Sequence, residues 1–138
     1  NLKKIDLKII KHSSDNKLKK NTDIYLVDTY GEATKFYQLS KITFVGGSIV
    51  KHGGQNPLEP ARLGNYIING PNIDNFKEIY AFLSKNKILV TTSNIKKMQK
   101  EIENKLNKKL SISKTEKIFN IGEKILNKNI NYLTKYIT

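Results

Sequence analysis

Short, continuous apolar runs separated by helical periodicity constrain this chain more than any other feature. Ile24-Tyr25-Leu26-Val27, Ile42-Thr43-Phe44-Val45, Tyr66-Ile67-Ile68 and Ile88-Leu89-Val90 are clear runs, and Leu7-Lys8-Ile9-Ile10 is a weaker one. Runs without polar alternation suit strands buried on both faces, which need helices to cover them. The intervening segments supply those helices. Residues 31–40 place Ala33, Phe36, Tyr37 and Leu39 at helical spacing, residues 57–63 make a short helix, and Phe76, Ile79, Tyr80 and Leu83 recur as a stripe. The alternation predicts a doubly wound α/β fold, a Rossmann-like parallel sheet with flanking helices.

From Ser93 onward the strand signal stops. Ile95, Met98, Ile102 and Leu106 mark one amphipathic helix. Ser113 and Glu116 form a capping-box pattern before Ile118, Ile121 and Ile125, and Ile130, Leu133 and Ile137 suggest a last short helix. The expected organisation is a partial nucleotide-binding α/β part over residues 1–92 and a helical tail over 93–138 packing on it. With 138 residues, the two make one domain with a real core.

Composition narrows the chemistry. The absence of cysteine excludes disulfides and thiolate metal sites, and His12 and His52 are too few for a histidine cluster. No apolar run approaches the roughly 20 residues of a membrane span, and no signal peptide is visible, so the fragment is expected to be soluble. The chain opens on Asn1 rather than Met, which reads as a fragment or a processed product. Its net charge of +13 comes from 24 lysines and one arginine. Abundant Lys, Asn and Ile are what an AT-rich genome produces, and lysine without arginine is poorly suited to bidentate phosphate or guanine recognition. The charge is read as mild anion attraction, with no nucleic-acid partner expected; a basic nucleic-acid-binding module stays as an alternative.

Two strand-to-helix turns share one design. Strand 24–27 leads into Thr29-Tyr30-Gly31-Glu32, and strand 42–45 leads through Gly46-Gly47-Ser48 and Gly53-Gly54 into Asn56-Pro57-Leu58-Glu59. Each has a cap-forming residue followed three positions later by glutamate, and the second has proline at the expected first helical position. Both turns are expected at the carboxyl edge of the sheet, where open α/β sheets bind ligands. Two roles are open to Glu32 and Glu59: bonding back to their caps, or accepting from ribose hydroxyls. The paired glycines tilt the balance, because they allow positive φ and close approach of a ligand to backbone N–H groups, and helix N-termini favour phosphate. The spacing is neither a P-loop nor G-x-G-x-x-G. The residues alone point to a nucleotide or sugar-nucleotide site.

Residues 28–76 resemble the 3-deoxy-D-manno-octulosonic acid (Kdo) transferases, the lipid IVA Kdo transferase family. Asp28-Thr29-Tyr30-Gly31-Glu32, Phe44-Val45-Gly46-Gly47-Ser48, Gly53-Gly54-Gln55-Asn56-Pro57-Leu58-Glu59-Pro60 and Gly70-Pro71 through Asn75-Phe76 occur in family order. The resemblance implies the C-terminal half of a two-domain GT-B glycosyltransferase at the cytoplasmic face of the bacterial inner membrane. Such an enzyme moves Kdo from CMP-Kdo to the lipid A precursor of lipopolysaccharide, with inversion and without a metal or other cofactor. It implies that Tyr30, Gly31 and Glu32 contact CMP in one turn, that Asn56, Pro57, Leu58 and Glu59 do so in another, and that Gly47 and Ser48 line the same site. Tyr30 stands where the family often has Met, and Gln55 where it often has His. Its Pro-Arg-His block and its N-terminal domain, with the catalytic glutamate base and the lipid-acceptor surface, have no counterpart here, so no catalytic residue is assigned and the fragment is expected to be inactive alone. The expected partners are CMP-Kdo, the lipid A precursor through that N-terminal domain, and an anionic membrane surface. Another GT-B glycosyltransferase or a sugar-nucleotide epimerase using UDP is the alternative enzyme. His52 is read as a loop residue, Asn75 and Phe76 as fixing the following helix, and Lys51 and Arg62 as either phosphate neighbours or solvent-exposed residues.

Overall fold

A computed structural model describes residues 6–14, 17–107, 130 and 134. The chain forms two compact units, Asn1–Lys35 and Phe36–Thr138. The first contains strands β1 (Ile9–Lys11) and β2 (Ile24–Leu26), which pair in parallel with Ile9 opposite Ile24 and Lys11 opposite Leu26. Helix α1 (Ala33–Leu39) crosses the boundary between the units.

The second unit is a three-stranded parallel sheet in the order β3 (Ile42–Val45), β4 (Tyr66–Asn69), β5 (Leu89–Thr91). Between β3 and β4 lies α2 (Leu58–Arg62), and between β4 and β5 lies α3 (Lys77–Lys85), preceded by a 3-10 turn at Asp74–Phe76. The parallel α/β class matches the sequence reading. The strands divide between two sheets, however, and in the second they follow chain order, so no reversal of the doubly wound kind occurs among the described residues.

β4 is central, and its four residues are all buried. Ile67 and Ile68 point to opposite faces and are both fully buried. Burying each contributes roughly 1.5–3 kcal/mol, and that is why an unalternated apolar run appears here. Val45, Ala61, Tyr80, Leu83, Ile88 and Leu89 complete the core with Ile67, and Leu58, Ile73, Phe76, Ile79 and Phe82 pack against it. In α3 the buried residues are Tyr80 and Leu83, one helical step apart. The helix stops at Asn86, and Lys87 takes φ 58°, which lets the Ile88 amide reach the Leu83 carbonyl at 3.0 Å.

The amphipathic helix expected from Ile95, Met98, Ile102 and Leu106 is α4 (Ile95–Leu106). Asn94 caps it, its Oδ1 accepting from the Lys97 amide at 3.0 Å. Glu101 and Lys105, one turn apart on α4, hold Tyr66: Tyr66 Oη donates to Glu101 at 3.3 Å, and Lys105 Nζ lies 3.9 Å from the ring centroid. Burial and the Glu101 carboxylate push the Tyr66 phenol up to about 12. The helix expected from the capping box at Ser113 lies outside the described residues. Ile130 and Thr134 are helical, with Thr134 Oγ1 donating to the Ile130 carbonyl at 2.9 Å.

Candidate functional site

β3 ends at Val45, and the loop of residues 46–57 carries the chain from there to α2. The Gln55 amide donates to the Gly46 carbonyl at 3.3 Å, closing the loop at its base. Ser48 is buried under it. Its hydroxyl donates to the Val45 carbonyl at 2.6 Å and accepts from the Gly70 amide at 2.8 Å. The turn after β4 grips the loop from the same side. The Asn72 amide and side chain donate to the Ser48 carbonyl at 2.9 and 3.1 Å, the side chain also reaches the Ile49 carbonyl at 3.0 Å, and the Gly54 amide donates to the Asn72 carbonyl at 2.8 Å.

The glycine pair after β3 divides into two tasks. Gly47 has φ 75°, and a Cβ there would lie 2.5 Å from the Gly53 carbonyl oxygen, so this glycine lets the loop cross itself. Gly46 has no positive φ, and nothing comes within 4 Å of where its Cβ would stand. The open backbone lies at Gly46, a position that the sequence reading did not assign. Which of two adjacent glycines faces neighbours is a tertiary fact, and the sequence carries no signal for it. Gly47 and Ser48, which were assigned, hold the loop in shape from within.

At the far end of the loop Pro57 is buried in a helical conformation, φ −84° and ψ −5°. Asn56 Oδ1 accepts from the Leu58 amide at 3.0 Å, a local turn bond that opens α2. Pro60 and Ala61 are buried while Asn56 and Glu59 are exposed, so α2 presents its carboxylate on the outer side. The Tyr37 phenol is raised mainly by its burial, and the Glu59 charge adds to the shift. At five residues, α2 has only a weak macrodipole, which leaves loop amides as the stronger source of positive potential. Lys51 and Arg62 are exposed beside these segments, and His52 is an exposed loop residue whose amide donates to the Val50 carbonyl at 2.7 Å. Asn75, read as a helix-fixing residue, also touches the loop: a Cβ on Gly53 would lie 2.8 Å from its Nδ2. Phe76 packs on the core as expected.

Tyr30, Gly31 and Glu32 belong to the first unit. There Asp28 ends the segment after β2 and accepts from the Ser13 amide and hydroxyl at 3.0 and 2.7 Å, and those bonds hold its carboxyl below the usual range. Tyr30 is fully exposed, and Gly31 turns the chain at φ 83° with open space around it. That turn corrects the capping box expected at Thr29. The helix starts only at Ala33, because Gly31 leaves the helical region, and Glu32 pairs instead with Lys35 at 2.9 Å. The Lys35 ammonium beside it lowers the Glu32 carboxyl. Among the described residues no group of three His, Cys, Asp or Glu side chains is placed to hold a metal ion, and no helix is long and apolar enough to cross a membrane.

A parallel α/β unit with a glycine loop beyond the carboxyl end of a strand, leading into a short helix, belongs to the Rossmann-like class. Comparison with known proteins makes the assignment more particular. The chain is 37% identical over 129 residues to the 3-deoxy-D-manno-octulosonic acid transferase of Haemophilus influenzae, covering 93% of this chain and 30% of that protein. It is 34% identical over 96 residues to the Aquifex aeolicus protein of the same name, covering 70% of this chain and 26% of that one. A bifunctional glycosyltransferase/methyltransferase of Fusobacterium nucleatum is 33% identical over 123 residues, 86% of this chain and 19% of that protein. Among solved structures, the C-terminal CMP-Kdo binding domain of WaaA from Acinetobacter baumannii is similar, with a TM-score of 0.69 and 26% identity over 82% of this chain and 61% of that one. No family model matches the chain. The chain is thus a homologue of the 3-deoxy-D-manno-octulosonic acid transferases, and it spans less than a third of the length of these curated relatives.

Proposed function

We propose that this chain supplies the donor-binding part of a Kdo transferase, holding the CMP moiety of CMP-Kdo. The supporting observation is the base of the 46–57 loop. The Gln55–Gly46 bond sets the open backbone of Gly46 beside Asn56, and the exposed Glu59 follows one turn later. In this reading the amides around Gly46 face the CMP phosphate, and Glu59 accepts from the ribose hydroxyls. Gly47, Ser48, Pro57 and Leu58 keep that arrangement in place. Tyr30, Gly31 and Glu32 enter the proposal through the family resemblance, as a turn lying along the nucleotide.

Transfer breaks the bond between the Kdo anomeric carbon and the CMP phosphate, and negative charge grows on that phosphate. Backbone donors fixed before the reaction stabilise such a leaving group without reorganising. The wider reading rests on the family resemblance: an inverting, metal-independent GT-B enzyme, with CMP as product and no cofactor, acting on a lipid A precursor at the cytoplasmic face of the inner membrane. No residue of this chain is assigned as the base. The lysine excess suits an anionic membrane surface.

Isothermal titration with CMP, UMP and UDP tests this reading. Preference for CMP supports it, and a clear preference for UDP would favour a UDP-sugar enzyme instead. Tight RNA binding that falls steeply with salt, with no nucleotide binding, would favour the nucleic-acid module.

A further inference from the structure

Gln55 is held from two directions. Its amide donates to the Gly46 carbonyl at 3.3 Å, and its carbonyl accepts from the Tyr80 hydroxyl at 2.8 Å. Tyr80 comes from the buried face of α3 and is 1% exposed, so its ring is part of the core while its hydroxyl surfaces beneath the loop. The approach is close. A Cβ on Gly54 would lie 2.6 Å from the Tyr80 oxygen, so the residue before Gln55 must be glycine for the hydroxyl to arrive. Asn72 fixes the loop from Ser48 to Gly54, and these bonds stop short of Gln55. Gln55 leads directly into Asn56, whose side chain opens α2 and so sets where Glu59 stands.

We propose that Tyr80 is a positioning residue for the donor site: through Gln55, its hydroxyl fixes the placement of Asn56 and Glu59 relative to the open backbone of Gly46. The inference rests on the donor-binding reading and adds a specific atom to it. A phenylalanine fills the same core volume, so packing does not require the hydroxyl. A phenol is a hydrogen-bond donor at neutral pH, and burial raises this one further. Its loss frees the Gln55 carbonyl to turn toward water, and the turn carrying Asn56 and Glu59 then samples other orientations.

The test is CMP titration of the full chain against Tyr80→Phe, Gly54→Ala and the double variant, well below each melting midpoint. Tyr80→Phe is expected to weaken CMP binding roughly five- to tenfold while cooperative unfolding persists. Gly54→Ala displaces the hydroxyl from Gln55 and weakens CMP to a similar extent. The double variant is then no weaker than Gly54→Ala alone, because that change has already displaced the hydroxyl. Equal CMP affinity of the wild type and Tyr80→Phe overturns the role of the hydroxyl and leaves the donor-binding reading standing, as does full additivity of the two changes. Absence of CMP binding by the wild type overturns the donor-binding reading itself, and this inference with it. Should Tyr80→Phe not fold, CMP binding by Gly54→Ala at wild-type strength would overturn the inference.

Discussion

The Ser48 hydroxyl stands between the end of β3 and the end of β4, donating to the Val45 carbonyl at 2.6 Å and accepting from the Gly70 amide at 2.8 Å. One buried side chain thus joins the two strands at the edge where the glycine loop departs. Ser48→Ala leaves both backbone groups buried without that partner, and the cost is expected to be about 1–3 kcal/mol. Chemical denaturation measures it. An unchanged midpoint would mean that the hydroxyl is not structural.

In the proposed donor site the loop carries more than the helix that follows it. The five-residue α2 contributes a weak dipole, while the loop is held at Gly46, Ser48, Ile49 and Gly54 by backbone and Asn72 contacts. Gly47→Ala places a Cβ 2.5 Å from the Gly53 oxygen at a φ of 75°, so it is expected to open the loop. CMP binding should fall more than tenfold, a change of about 1.4 kcal/mol or more. Retained affinity would show that the crossing at Gly47 does not shape the site.

Tyr66 gives the second unit an alkaline limit. Its folded-state value of about 12 lies above the ordinary 10.0, because of burial first and Glu101 second. The folded state therefore keeps a proton that the unfolded chain loses between those values. The contribution is fully present below pH 10 and is lost as pH rises toward 12. Phenolate absorbance should show Tyr66 among the late-titrating tyrosines, beside the raised Tyr37 and Tyr80, and Glu101→Gln should move the Tyr66 step earlier.

Asp28 acts in the opposite sense at the acid end. Ser13 donates to it twice, and its folded-state pKa is lowered. The link is fully present above the ordinary carboxylate value of 3.8 and is lost as pH falls through the lower folded-state value. The Ser13 amide resonance should shift on that acid titration, and Asp28→Asn should abolish the shift.

The strands were legible because burial on both faces leaves an unalternated run, as in Tyr66–Asn69, and α3 because Tyr80 and Leu83 repeat at helical spacing. β1 proved harder: Leu7–Ile10 was expected and Ile9–Lys11 is observed, a shift that a half-exposed strand permits. The Thr29–Glu32 pattern was overruled by Gly31, whose positive φ postpones α1 to Ala33. The candidate loop was visible from its glycines, prolines and family blocks. The separate tasks of Gly46 and Gly47 were not, nor was Tyr80, which reads in sequence as one more core aromatic. Contacts between residues distant in the chain decide all three.

Glu59 carries the central claim, because it is the exposed carboxylate on α2 just beyond the glycine loop. Titration of CMP into the wild type and into Glu59→Ala tests it most directly. The account predicts measurable CMP binding by the wild type, a loss of roughly tenfold or more in Glu59→Ala from the ribose hydrogen bonds to a charged group, and cooperative thermal unfolding in both proteins. CMP affinity equal in the two proteins, or absent from both, would contradict it.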